Sequence, residues 1–196
     1  MKGNFFAMMY RLKYIERWSL MKNTDVEKVS EHSLEVGMIA HALAVIGNVR
    51  FNKNLNVEKA ALVGMYHDSA EIITGDMPTP VKYYNKEVQQ AMKEVENVAN
   101  KKLLSMLPDD MKPYYDSIFF KKEEDEYLWK LVKAADKISA LIKCMEELNT
   151  GNQEFRSAEA SLRRKVLDCD IEEVQVFIKE FLPAYGNTLD ELSNND

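Results

Sequence analysis

Cysteine, proline and glycine are all scarce in this chain, and positive charge is in deficit. Two cysteines in 196 residues, Cys144 and Cys169, stand in helical patterns without any metal-type spacing. They are expected as reduced, packed thiols. Five prolines and seven glycines leave little material for turns, which favours long helices over many strands. Lys and Arg number 26 against 32 Asp and Glu, a formal net charge of −6. That balance argues against a nucleic-acid polymer as partner, since backbone binding needs a basic footprint. A small phosphate ligand remains compatible, because it answers to local charge. No run approaches ~18 apolar residues, so no membrane span is expected. The start, Met1-Lys2-Gly3-Asn4-Phe5-Phe6, lacks a sustained apolar stretch, and the expected location is the cytoplasm.

What is present suits a single helical domain over 1–196. The 46% apolar and 30% charged content belongs to globular proteins, and eleven methionines suit adaptable helix packing. Phe5, Phe6, Met9, Leu12 and Ile15 predict a first helix ending near Glu16. After a loop from Arg17 to Val29, Ser30 is the expected N-cap of a helix running to about Ile46 and stopped by Gly47. Asn56 should cap a third helix that ends at Gly75. The segment Thr74-Gly75-Asp76-Met77-Pro78-Thr79-Pro80 is expected to be non-helical. Further helices are predicted from Val88 to Met106, near Met111–Phe120, over Glu124–Leu148, near Glu154–Leu167 and near Ile171–Leu182. The last should open with the box Asp170-x-x-Glu173 and close at Pro183. No strand is expected.

Within the apolar third helix stand His67 and Asp68, adjacent and costly to desolvate unless something binds them. A divalent metal would do so. Consecutive helical residues point about 100° apart, so both can reach one point at the helix edge. His32 shares a face with Val36, Ile39, Ala40 and Leu43, and Asp136 borders the stripe of Val132 and Leu141. The four converge from three helices, the way bundle-core metal sites are built. His41, nine residues after His32, faces the other way and reads as structural. Two imidazoles and two carboxylates suit Mn²⁺, Co²⁺, Zn²⁺ or Fe²⁺ better than Mg²⁺ or Ca²⁺.

Around this set lie other polar candidates. Glu71 follows His67 by four residues and Asp68 by three, on the same face. Asp76 sits in the Pro-rich turn. Arg17 and Trp18 share the first long loop, where a guanidinium can hold phosphate oxygens in bidentate fashion. Lys82 and Lys137 are further candidates for anion binding.

The order H…HD…D over roughly a hundred residues resembles the HD-domain metal-dependent phosphohydrolases. The match sharpens at Arg17-Trp18-x-Leu20-Met21, at Val29-Ser30-Glu31-His32-Ser33-Leu34, at Met65-Tyr66-His67-Asp68-x-x-Glu71 and at Gly75-Asp76-Met77-Pro78-Thr79-Pro80-Val81-Lys82-Tyr83, with Lys143-Cys144-Met145-Glu146-Glu147-Leu148 further on. Together these are similar to the bacterial 5'-deoxynucleotidases, which hydrolyse deoxyribonucleoside 5'-monophosphates to deoxynucleoside and phosphate. The resemblance is weakest between about Met106 and Tyr127 and after Phe155. It implies an all-α HD-type helical bundle with a central metal site. One divalent ion would be bound by His32, His67, Asp68 and Asp136. It further implies Glu71 as an acid/base residue, Arg17 and Asp76 as active-site polar residues, and Trp18 as the aromatic that disfavours a ribose 2'-hydroxyl. Thr79 and Lys82, in the same turn motif, are further substrate-binding candidates, and the resemblance implies a homodimer.

The chemistry is consistent with this. A bound metal lowers the pKa of water and polarises phosphate, and Arg17 offsets charge developing on its oxygens. Either Glu71 or Asp76 can orient or deprotonate the water, and either can protonate the departing 5'-oxygen. Two other functions fit the same motifs: hydrolysis of another phosphorylated small molecule, such as a nucleoside triphosphate or cyclic nucleotide, and a catalytically silent nucleotide-binding module.

Overall fold

The computed structural model describes residues 3–82 and 84–193, and every regular element among them is helical apart from one isolated antiparallel bridge between Glu16 and Lys28. Tyr83, at the end of the Pro-rich motif, lies outside the described residues. In chain order the α-helices are α1 (Phe5–Met9), α2 (Val29–Phe51), α3 (Val57–Tyr66), α4 (Glu71–Thr74), α5 (Thr79–Lys82), α6 (Lys86–Leu104), α7 (Lys112–Phe119), α8 (Glu126–Asn149), α9 (Arg156–Leu167), α10 (Glu172–Glu180) and α11 (Leu189–Ser193). The all-α expectation holds.

The bundle is built on α2, which packs against α3 and α8. Val36, Ile39, Ala40 and Leu43 of α2 meet Val63 of α3 and Leu131, Val132, Ile138 and Leu141 of α8 in one core cluster. Each of these Val, Ile and Leu side chains contributes roughly 1.5–3 kcal/mol when fully buried. The crossing of α2 and α3 is unusually close. A Cβ on Gly64 would fall 2.7 Å from the Cα of Gly37, so the two glycines let the backbones touch. With its 23 residues, α2 is long and apolar enough to cross a membrane by length and composition. Its face of Val36, Ile39, Ala40 and Leu43 is instead committed to the core.

Several boundaries differ from expectation, each for a local reason. The first helix gives way at Tyr10 to a 3₁₀ turn, Tyr10–Tyr14. Ser30 is not the N-cap of α2: the helix starts at Val29, and the Glu31 carboxylate accepts from the Lys28 amide at 2.8 Å. Nor does Gly47 stop α2. It lies inside the helix, where any Cβ would meet Glu173 Oε1 at 2.6 Å. The actual end is Asn52, in a left-handed conformation (φ 52°). Thr79 and Pro80 prove helical, because a proline is tolerated in a helix's first turn. The Asp170 box does not form: α10 has no side-chain cap, and Glu173 is buried against Lys53 and Tyr127.

The most consequential difference is after Tyr66. The third helix does not run to Gly75. It ends at Tyr66, passes through a turn over 67–70, and resumes as α4. In the turn, Ser69 N donates to Tyr66 O and Glu71 N to Asp68 O, three residues apart rather than four. His67 and Asp68 therefore sit in a helix break. Asn56 caps α3 as expected, its side chain accepting from Lys59 N.

Candidate active site

His32 stands in the first turns of α2, fully buried, and His67 leaves the end of α3 directly opposite, with ring centroids 5.2 Å apart. The close approach of Gly37 and Gly64 is what brings the two rings together. His67 Nδ1 donates to Gly64 O at 2.7 Å. A carbonyl can only accept, so Nδ1 carries a proton and Nε2 is the atom left to bind an ion, once it gives up the second proton that Asp68 favours in the ion-free protein. His32 is fixed in the same tautomer by a longer relay. Ser139 Oγ donates to Glu35 Oε2 at 2.9 Å, which leaves its oxygen to accept from His32 Nδ1 at 3.0 Å.

Both Nε2 atoms are buried and without a hydrogen-bond partner among the described residues. Carboxylate oxygens nevertheless lie close. Asp68 Oδ2 is 3.0 Å from His67 Nε2 and 3.7 Å from His32 Nε2, and Asp136 Oδ1 is 3.2 Å from His32 Nε2. Near but not aligned for hydrogen bonds, these atoms face a common point. His32, His67 and Asp68 each offer a ligand atom within 4.8 Å of the others, an arrangement that can hold a metal ion. Two orphaned imidazole nitrogens beside two carboxylates fit a divalent ion chemically. The charges act the same way. Burial works against both members of the His67–Asp68 pair, but each holds the other charged, raising His67 and lowering Asp68.

Asp68 and Asp136 line a cleft of about 500 Å³, the size of a small-molecule site, and His32 and His67 stand against these two carboxylates without lining it themselves. Arg17, Trp18, Glu71, Asp76, Thr79 and Lys82 all line it, so the sequence-predicted residues share one site. Glu71 is buried and its Oε2 has no partner among the described residues. Burial first, then the nearby Asp68 and Asp76, push its carboxyl up to about 10. Asp76 is also raised by burial, partly offset by Arg17. Arg17 loses favour from burial, yet Glu27, Asp68, Asp136 and Asp76 more than compensate and hold it protonated. Lys82 is committed to Glu96 at 3.0 Å, and Thr79 is exposed at the lip. Lys137 lines the cleft from α8, whereas His41 is exposed on the far side of α2.

Sequence reading missed four contributors. Glu27 accepts from both Arg17 and Trp18. Ser139 and Glu35 orient His32, and Ser139, three residues after Asp136 on the same helix face, could have been found by spacing. The far wall of the cleft is α9, with Ala158, Ser161, Leu162 and Lys165. Nothing in their local pattern marks them.

A helical bundle with two histidines set against two aspartates that line such a cleft defines the class of HD-domain phosphohydrolases. An HD-domain phosphohydrolase from Listeria innocua superposes with a TM-score of 0.79 at 24% identity, covering 98% of this chain and 90% of that one. A cyanophage S-2L HD phosphohydrolase, solved bound to dA and one catalytic Zn²⁺ ion, matches at a TM-score of 0.63 and 18% identity, covering 96% of this chain and all of that one. Both are similar in fold. The family follows from sequence: residues 4–185 match the model described as 5'-deoxynucleotidase YfbR-like, and the chain belongs to that family. A 5'-deoxynucleotidase of Erwinia tasmaniensis is 45% identical over 97% of this chain and 96% of its own. One from Enterobacter sp. is 44% identical over 99% and 98%.

Proposed function

We propose that this chain hydrolyses deoxyribonucleoside 5'-monophosphates to deoxynucleoside and inorganic phosphate, with one divalent metal held by His32, His67, Asp68 and Asp136. The observation that carries the reading is the pair of buried, unpartnered Nε2 atoms facing two carboxylates at the floor of the cleft. A bound divalent ion supplies Lewis acidity there, polarising phosphate and making water more acidic.

The chain's own residues do the rest. Arg17 binds the phosphate oxygens and offsets their charge. Glu71 carries a proton at neutral pH, because burial holds its carboxyl up, and it delivers that proton to the departing 5'-oxygen. Asp76, more open to solvent, orients the attacking water and takes its proton as the new P–O bond forms and the P–O5' bond breaks. The indole of Trp18 packs against C2' of the sugar, where a 2'-hydroxyl would be buried unpaired at a cost of roughly 1–3 kcal/mol. Thr79 and Lys82 close the substrate end of the cleft. The chain acts as one domain over 1–196 and, by its family resemblance, as a homodimer. The unpaired thiols of Cys144 and Cys169 fit a reducing compartment, the cytoplasm.

The test is phosphate release from dAMP, dTMP, AMP and a generic phosphomonoester after chelation, with Zn²⁺, Mn²⁺ or Co²⁺ added back. Zinc comes first because the cyanophage neighbour carries it. Metal-dependent release favouring the deoxynucleotides is expected, together with loss of metal and activity in Asp68→Ala. Equal release from every ester would remove the sugar selectivity, and full activity without metal would end the mechanism.

A further inference from the structure

We infer that Glu27 is a positioning and specificity-determining residue, a single buried carboxylate that sets Arg17 and Trp18 in register with one another and so couples phosphate binding to sugar selection. The inference rests on the reading of Arg17 and Trp18 given under the proposed function.

Consecutive residues of an extended chain point to opposite sides. Arg17 and Trp18 do not. Trp18 has φ 58°, in the left-handed region that a bulky side chain rarely enters. The backbone turn lets the guanidinium lie 5.6 Å from the indole and aims both side chains at one acceptor. Glu27 Oε2 accepts from Arg17 Nη1 at 2.6 Å and from Trp18 Nε1 at 2.8 Å. The same two segments are tied by backbone bonds, with Arg17 N donating to Glu27 O at 3.0 Å and Val29 N to Ile15 O at 3.0 Å. Strain at Trp18 is held in place by Met21 N and Asn23 Nδ2, which both donate to Trp18 O. On its far side the indole meets Phe155 edge-on at 5.3 Å.

Glu27 is itself almost fully buried, so its negative charge needs the guanidinium, and the guanidinium cannot swing away without stranding it. Neither partner is therefore free to move independently of the other. A ligand that draws Arg17 onto its phosphate draws on the same carboxylate that fixes the indole edge. Discrimination against a 2'-hydroxyl needs a wall that does not yield, and Glu27 is what stops Trp18 from yielding.

The experiment measures kcat and KM for dAMP and AMP in wild type, Glu27→Gln, Glu27→Ala, Trp18→Ala and the Glu27→Ala/Trp18→Ala pair, each checked for metal content and for a cooperative melt. Expected is a fall of roughly tenfold in the dAMP/AMP ratio of kcat/KM in Glu27→Ala, in keeping with loss of a charged hydrogen bond. KM for both nucleotides should also rise as Arg17 is released. In the double variant the ratio should fall no further than in Trp18→Ala alone, because Glu27 acts on the sugar only through the indole. Glu27→Gln keeps the size of the side chain and covers the case in which the alanine variant does not fold. Its ratio should fall at least threefold, since a neutral amide oxygen is a weaker acceptor for Arg17 and Trp18 than the charged carboxylate oxygen both now share. A discriminating wild type whose folded Glu27 variants keep the full ratio would overturn this inference alone. A wild type that does not discriminate would overturn the sugar reading, and this inference with it.

Discussion

The hydroxyl of Ser139 accepts from His32 Nδ1 at 3.0 Å, joining the middle of α8 to the first turns of α2. Through that bond Ser139 and Glu35 decide which nitrogen of a fully buried imidazole faces the cleft. Ser139→Ala should leave the helix intact and release the ring. Metal affinity is expected to fall roughly 10–100-fold, the usual loss when a ligand's supporting partner is removed. Titration of the chelated protein with Zn²⁺ measures it directly, and unchanged affinity would mean that packing alone orients His32.

Gly64 has a double task, allowing α2 and α3 to touch and offering its carbonyl to His67. A methyl group there meets Gly37 backbone atoms at 2.7–2.9 Å, so something must shift. Gly64→Ala should lower stability by about 1–3 kcal/mol, as overpacking does. It should also weaken metal binding by separating the two histidines. Denaturant melts and metal titration of the same variant report both effects.

Glu71 gives a prediction in which activity and stability move in opposite directions. Its carboxyl is held up to about 10, so ionising it costs folding free energy as pH climbs above the ordinary value of 4.5. Glu71→Gln carries no such cost and should melt at or above the wild-type temperature at pH 8–9. Its turnover should drop by roughly 10²–10⁴-fold, the usual worth of a general acid. A variant that is both less stable and fully active would contradict the assignment.

At the other end of the loop, Glu147 accepts from Lys143 Nζ and Asn152 Nδ2 at 2.7 Å and from the Thr24 amide at 2.8 Å. Burial works against its charge, but Lys143, Asn152 and Thr24 outweigh it and lower the carboxyl to about 2. A depressed carboxylate stabilises the fold above its unfolded value of 4.5, and that contribution fades as pH falls toward 2. Glu147→Gln removes the nearest counter-charge of a buried Lys143, which keeps Asp25 O at 2.8 Å and Glu146 at 3.8 Å, and should cost about 1–3 kcal/mol at pH 7. The gap between variant and wild type should narrow in melts taken from pH 5 down to pH 2.

Much of this protein was readable from local pattern. Apolar spacing marks α2 and α8, Asn56 marks the start of α3, and the costly polar residues His32, His67, Asp68 and Asp136 stand out against apolar faces. The residue types sufficient for a mixed nitrogen–oxygen metal site, and the Arg17-Trp18 pair, are properties of the chain itself. Tertiary structure decided the rest. The break after Tyr66 arises because the His67 ring takes the Gly64 carbonyl and the following turn tightens to three-residue spacing, which helical periodicity does not encode. Glu27, Glu35 and Ser139 read in sequence as ordinary surface or helix polars. They acquire their parts only when folding buries them against partners, as when Ser139 on α8 meets His32 and Glu35 on α2. The α9 wall joins the cleft in the same way. Hydrophobic pattern specifies which face of a helix turns inward, but the partner of a buried polar atom is set by helix crossings, and here by how closely Gly37 and Gly64 let two backbones approach.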